Sequence, residues 1–427
     1  MTQSKQIKTR RIPKEWEVVR LGNFVDVYSG YAFKRQDFTS NKEKGIPIIK
    51  IGNLQNGSVI LDKNTSCVLE DFYKNLPEFQ LNYEDVLIAL SGATTGKIAV
   101  VNKDITLALV NQRVGKFKVL NESKIIKNFF YYLAQSDSFK RFVLRNIGQS
   151  AQGNLSPYQI KSAIISLPPL PEQQKIAEIF GTVDKAIEKV DKAIKKTKRL
   201  KKGLMQELLT KGIGHKEFKD TKIGRIPKEW EVVWLKQIVK DIKNGFASGK
   251  RDKNGIVQIR MNNVRTDGQM TFDKFIKVPI PDIANQWILE SGDLLFNNTN
   301  SYDLVGKSAV FKKMQFPCTF SNHFTRIKFR EDQTKPDFIL FHFLILWRKG
   351  YFKSVAIRHV GQSAVHSSYL LKLAIPLPPV IEQKKIVEIL SSVDKRLELL
   401  RERKKKFEKV KRELMNGLLT GNKRVRI

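Results

Sequence analysis

The sequence predicts an α+β chain of two related globular domains, each followed by a long helix, the two helices pairing as an antiparallel coiled coil. Three observations predict this: an internal repeat, two proline-led apolar seams, and short β-rich runs between turn residues. The repeat is the most direct. Ile12-Pro-Lys-Glu-Trp-Glu-Val-Val-Arg-Leu21 returns as Ile226-Pro-Lys-Glu-Trp-Glu-Val-Val-Trp-Leu235, and Gly148-Gln-Ser-Ala151 returns as Gly361-Gln-Ser-Ala364. Pro168-Pro-Leu-Pro-Glu-Gln-Gln-Lys-Ile176 returns as Pro378-Pro-Val-Ile-Glu-Gln-Lys-Lys-Ile386, and Leu208-Leu-Thr210 as Leu418-Leu-Thr420. Four collinear matches at slowly drifting offsets mark a duplicated unit.

Between these anchors the apolar framework persists and the polar decoration changes. Ile49-Lys-Ile-Gly-Asn-Leu54 faces Ile259-Arg-Met-Asn-Asn-Val264, Asp85-Val-Leu-Ile88 faces Asp293-Leu-Leu-Phe296, and Gly96-Lys97 faces Gly306-Lys307. Two copies of one scaffold whose binding loops take different ligands read this way. The globular domains span 13–166 and 221–374. Runs such as 46–51, 86–90, 98–101, 257–261 and 308–311 sit between Gly, Asn, Ser and Asp and read as strands. Aromatic stretches near 125–142 and 336–352 read as one helical region per domain.

The segments after the Pro-Pro pairs, 167–214 and 375–421, read as long helices. Apolar or small residues recur at Ile176, Phe180, Val183, Ile187, Val190, Ile194, Thr197, Leu200, Leu204 and Leu208. The second copy keeps the same steps at Ile386, Leu390, Val393, Leu397, Leu400, Lys404, Phe407, Val410, Leu414 and Leu418. Alternating steps of three and four make one seam along a helix, and two such seams bury each other most simply. At about 1.5 Å per residue each helix is ~58 Å long. Packing of each helix on its own domain is the alternative. Lys404 interrupts the second seam, its stem fitted to lie along apolar surface with its head outward.

Charge points to the partner. The chain holds 77 Lys+Arg against 42 Asp+Glu, a net charge of +35, which favours a polyanion, nucleic acid first. The two cysteines, Cys67 and Cys318, form no disulfide framework, fit a reducing cytoplasm, and lie at no zinc spacing with the five histidines. No leader-like or membrane-spanning run is expected, since the most apolar stretch, 338–347, is too short and contains His342.

Catalytic motifs are mostly missing. Gly92-Ala-Thr-Thr-Gly96-Lys97 is one residue short of a phosphate loop, and Ser301 replaces the first glycine before Gly306-Lys307-Ser308. There is no Gly-rich dinucleotide fingerprint, no Asn/Asp-Pro-Pro-aromatic methyltransferase tetrapeptide, and no distinct carboxylate–lysine nuclease cluster. No catalytic, cofactor-binding or metal-binding residue is therefore assigned. The candidate DNA-contacting residues are Lys50, Asn53, Thr94, Thr95 and Lys97 in the first copy. Arg260, Asn262, Asn263, Asn300, Ser301, Tyr302 and Lys307 are those in the second. Asn and Gln pair with adenine, Arg with guanine, and cations and hydroxyls with phosphate. Plain β-hairpin turns and scaffold amides are the competing reading at each position. The basic blocks 195–202 and 401–406 suit either phosphate tracking or a solvated coiled-coil flank.

The order of domain, Pro-Pro-Leu-Pro-Glu-Gln-Gln-Lys-Ile helix, domain, Pro-Pro-Val-Ile-Glu-Gln-Lys-Lys-Ile helix, with Ile-Pro-Lys-Glu-Trp opening each half, resembles the specificity subunit of type I restriction–modification systems. The resemblance covers nearly the whole chain and departs at Ile381, where the first copy has Pro171. It implies two target recognition domains reading the halves of a bipartite site on double-stranded DNA. It implies helices that fix the half-site gap and dock two modification subunits, with restriction subunits joining them. S-adenosylmethionine, ATP and magnesium would then belong to those partners. A structural adaptor and an unrecognised DNA-modifying enzyme are the alternatives.

Overall fold

The computed structural model describes residues 12–41, 43–148, 153–279 and 286–426. The chain divides into two compact units, Met1–Asp191 with Glu402–Ile427, and Lys192–Arg401. The Gly148-Gln-Ser-Ala151 repeat falls mostly outside the described residues, whereas its partner Gly361-Gln-Ser-Ala364 is within them.

In the first unit Val114–Val119 runs antiparallel between Val25–Ser29 and Val86–Ala89, and Val86–Ala89 pairs onward with Ile98–Val100. The alternation of side chains explains why 86–90 is an unbroken apolar run. Val86, Ile88 and Leu90 enter a core with Phe117, Phe129 and Phe130, while Leu87 and Ala89 enter a second one with Ala99 and Val101. A further sheet joins Ile46–Ile49 to Leu109–Val110 in parallel and to Cys67–Val68 antiparallel.

The second unit repeats the four central strands in the same order. Phe324–Phe329 lies between Val239–Asn244 and Leu294–Asn297, which pairs with Ser308–Val310. Leu294 and Phe296 face one core and Leu295 the other. Ile256–Ile259 pairs in parallel with Cys318–Phe320. The aromatic stretches divide differently: helices Lys127–Ala134 and Asp137–Ile147 in the first unit, Pro336–Arg348 and Tyr351–Ser354 in the second.

The long helices are Leu170–Lys211 and Val380–Leu418. Both alternatives for their packing hold within each unit. Ile176 and Phe180 enter the first domain core together with Leu418 and Leu419, and Met205, Leu208 and Leu209 enter the second with Ile386 and Leu390. Facing pairs run antiparallel: Asp184 with Lys411 (2.6 Å) and Asp191 with Lys404 (2.7 Å) in the first unit, Lys201 with Asp394 (2.6 Å) in the second.

Two seam positions need correction. Leu200 is 54% exposed and Val410 43% exposed. The buried line passes instead from Thr197 through Lys201 to Met205, and on the other helix a half-buried line runs from Phe407 through Lys411 to Leu414 and Met415. A step of four follows Thr197 and Phe407 where the apolar spacing suggests three. Each lysine meets an aspartate across the helix pair, so a charged residue occupies the seam by pairing. Lys404 likewise ends on Asp191 rather than in solvent. The remaining seam residues, Ile176, Phe180, Val183, Ile187, Val190, Ile194, Leu204, Leu208, Ile386, Leu390, Val393, Leu397, Leu400, Phe407, Leu414 and Leu418, are buried or half-buried.

The repeated motifs are partners of each other. Trp16 Nε1 donates to Glu172 at 2.9 Å, and Trp230 Nε1 to Glu382 at 3.0 Å. The adjacent glutamines bind the loop before each aromatic helix. Gln173 accepts from Ile126 N–H and donates to the carbonyls of Lys124 and Pro168, while Gln383 accepts from Lys335 N–H and donates to those of Gln333 and Pro378. The remaining oxygens of the glutamates are filled differently: Arg424 pairs with Glu172 at 2.7 Å, and His215 with Glu382 at 2.9 Å.

Gly212 ends the first long helix at φ +68°, and a Cβ there would lie 2.5 Å from Glu382 Oε1 and 2.8 Å from the Trp230 ring. Gly212→Ala is expected to destabilise the second unit by more than about 1 kcal/mol, through left-handed strain and a displaced glutamate. Urea unfolding of the full chain measures it, and a variant as stable as wild type would refute the account.

Candidate nucleic-acid interface

The Gly-Lys dipeptides have a structural origin. Gly96 (φ +83°) and Gly306 (φ +85°) lie where a Cβ would come 2.3 Å from Val143 and 2.6 Å from Phe352. Each glycine lets a hairpin loop press against a helix, which is why the loop resembles a phosphate loop without being one.

The lysines that follow diverge. Lys97 is exposed, whereas Lys307 is buried and donates to the carbonyls of Met261 (3.0 Å) and Val264 (2.8 Å). Burial holds the Lys307 ammonium below the usual lysine range. Lys307 thus ties down the turn Met261–Asn263.

The paired amides do similar work. Asn53 Oδ1 accepts from Lys50 N–H at 3.0 Å and Asn263 Oδ1 from Arg260 N–H at 2.9 Å. Their amide nitrogens donate to Ile60 and Thr65, and to Thr271 and Lys274. Asn300, also buried, donates to Asn297 and accepts from Ser301 N–H. Lys50 donates to Ser66 Oγ at 2.8 Å and sits 4.2 Å over the Phe38 ring, and burial lowers its pKa. These side chains spend their hydrogen-bonding groups inside the fold.

Others reach the surface. Asn262 and Ser301 are exposed, Thr95, Arg260 and Tyr302 are half-buried, and Thr94 is half-buried with its hydroxyl turned inward. Thr95 donates to Gly92 O at 2.6 Å, and Arg260 Nε to Gln258 at 3.3 Å. Burial, and then the charge of Arg260, lowers the pKa of His323.

Both units carry polar residues at the same end of the sheet. In the first, an open groove of about 450 Å³ is lined by Ser29, Ser91, Gly92, Gln112, Arg113 and Asn154. There Leu155 N–H donates to Leu90 O at 2.8 Å, and in the second unit Val365 N–H donates to Asn298 O at 2.8 Å. Matching the strands places Asn244, Thr299, Asn322 and His323 where the first unit has Ser29, Ser91, Gln112 and Arg113. Among the described residues, Ser91 Oγ, Thr94 Oγ1, Asn298 Oδ1, Ser321 Oγ and His323 Nδ1 are inaccessible and unpartnered. Buried polar atoms without partners are uncommon, and these gather at this end of both domains. Sequence reasoning missed Gln112, Arg113, Asn322 and His323. Their signal is a turn at equivalent places before Val114 and Phe324, carrying different polar residues.

No group of three or more His, Cys, Asp or Glu among the described residues is placed to hold a metal, and no described helix is long and apolar enough to cross a membrane.

Two sheet-based domains with matching frames and unlike polar ends, each joined to a long helix, define a duplicated recognition scaffold. The profile of the family described as "Type I restriction modification DNA specificity domain" matches residues 13–197 and 227–409, and the chain belongs to that family. It is 30% identical to the type I restriction enzyme MjaVIII specificity subunit of Methanocaldococcus jannaschii, over 99% of this chain and 96% of the relative. It is 23% identical to the EcoKI specificity subunit of Escherichia coli K12, over 88% and 82%. The crystal structure of the type I restriction–modification S subunit from M. genitalium shares its fold, with TM-score 0.58, 13% identity, and 97% and 98% of the two chains covered. A chain solved in work on assembly of a type I system gives TM-score 0.54 at 17% identity, covering 97% and 100%.

Proposed function

We propose that this chain is the DNA sequence-recognition subunit of a type I restriction–modification complex, each domain reading one half of a bipartite site. The observation that carries this is the matched pair of sheet ends. The central strands and the turns before Val114 and Phe324 coincide, while Ser29, Ser91, Gln112 and Arg113 give way to Asn244, Thr299, Asn322 and His323. One frame with two polar faces suits two half-sites of different sequence. The long helices set the gap between half-sites and dock the modification subunits.

The chain itself carries no catalysis on this reading. Adenine methylation, with S-adenosylmethionine, and translocation and cleavage, with ATP and magnesium, belong to partner subunits. Methyl transfer by the purified chain alone would overturn that division.

Mapping modified adenines across the source genome, with and without this gene, tests the reading. One bipartite motif, two short specified parts around a fixed gap, is expected to lose modification on deletion. If the gene is expressed and no motif changes, the proposal fails.

A further inference from the structure

The second unit carries a β-ribbon beside its candidate sheet end. Ile357–His359 folds back on Gln362–Ala364, joined by Val360 and Gly361, with Gly361 at φ +78°. Val360 is fully exposed (106%), and Ile357, Arg358, His359 and Gln362 are exposed. At its base, Ser363 and Ala364 pair with Thr299–Asn300, immediately before Ser301 and Tyr302. The Arg358 guanidinium lies 3.9 Å over the Tyr302 ring, with the Lys353 ammonium 5.0 Å from the same ring. Lys353 is ion-paired to Asp303. Arg358 has no carboxylate partner among the described residues.

We propose that the ribbon 357–364 enters the major groove of the DNA duplex and that Arg358 reads a guanine there. This rests on the recognition function proposed above. The major groove, about 12 Å wide, admits a two-stranded ribbon. Arginine presents a planar fork that matches guanine O6 and N7, and stacking on Tyr302 restricts that fork before any contact forms. The cation is solvated and unneutralised, which suits a polyanion better than an apolar protein face. Ile357 and Val360 suit the methyl group of thymine. The ribbon also accounts for Gly361-Gln362-Ser363: the glycine makes the turn, Gln362 stays exposed beside His359, and Ser363 is buried at the base.

The test uses the assembled complex and duplexes carrying the mapped motif, each with one base pair changed. Arg358→Ala is expected to lose about tenfold or more discrimination at one G·C pair of one half-site, and to leave the other half-site unaffected. Arg358→Lys, which keeps the charge and loses the fork, is expected to lose the same discrimination. Unchanged discrimination in Arg358→Ala overturns the proposal, as does uniform loss across both half-sites. Wild-type discrimination in Arg358→Lys also overturns it, since the planar fork would then not be what reads the base. Any of these results leaves the motif dependent on the gene, so failure here is separate from failure of the recognition function.

Discussion

Replacing Lys201 with methionine is expected to destabilise the second unit by about 3–5 kcal/mol, because it strands a buried carboxylate. Lys201 is 4% exposed and its partner Asp394 13% exposed. The double variant Lys201→Met, Asp394→Leu should recover most of the loss, since an apolar pair fills the same space without a desolvated charge. Denaturant unfolding of the single and double variants measures this, and equal losses in both would refute it.

The pair also sets a pH dependence. Burial raises the Asp394 pKa above its ordinary value, although Lys201 and Arg401 pull it down, and Asp267 adds to the rise. A carboxyl whose folded pKa is raised binds its proton more tightly when folded. Its stabilising contribution is full below the unfolded pKa and is lost as pH rises through the folded pKa. Without Lys201 the rise grows, so acidifying from pH 7 toward pH 4 should shrink the deficit of Lys201→Met relative to wild type.

Trp230→Ala should cost a similar amount, about 3–5 kcal/mol, by emptying a large core position. Trp230 is wholly buried with Leu235, Ile386 and Leu390 in the second core, and its indole N–H binds Glu382. Trp230→Phe is expected to lose less, because most of the packing remains and His215 and Ile213 N–H still bind Glu382. Hydrogen exchange should quicken in segments around 213–230 and 380–390. Unchanged protection there would show that the tryptophan does not join these segments.

The duplication, some of the strands and most of the helix seam were legible in the sequence, whereas the central strands Val114–Val119 and Phe324–Phe329, with their charged and polar residues, were not. The run 86–90 reads as a strand from its sequence, but that it and Leu294-Leu-Phe296 are covered on both faces is seen only in the fold. The seam became misleading at Leu200 and Val410 because hydrophobicity alone ignores Lys201 and Lys411, whose charges enter the helix pair with aspartates from the other helix. The candidate interface was legible only as a region. Asn53, Asn263 and Lys307 have the side chains of base or phosphate contacts, yet their groups are consumed by nearby carbonyls and hydroxyls. Those partners are distant enough in sequence that spacing carries no trace of them. The stacking of Arg358 on Tyr302 joins residues 56 positions apart and follows from strand pairing alone.

Glu172 binds Trp16 from one end of the chain and Arg424 from the other, and Leu418 and Leu419 fill the same core. During synthesis, the second unit, Lys192–Arg401, is contiguous and can close once its own residues have left the ribosome. The first-made unit must wait for the last-made residues. A nascent chain therefore completes its domains in reverse order of translation, with part of its earliest core open until residues 402–426 have emerged. Stalled or proteolytically clipped chains lacking residues 402–427 should consequently keep a sound second domain and an unfinished first one.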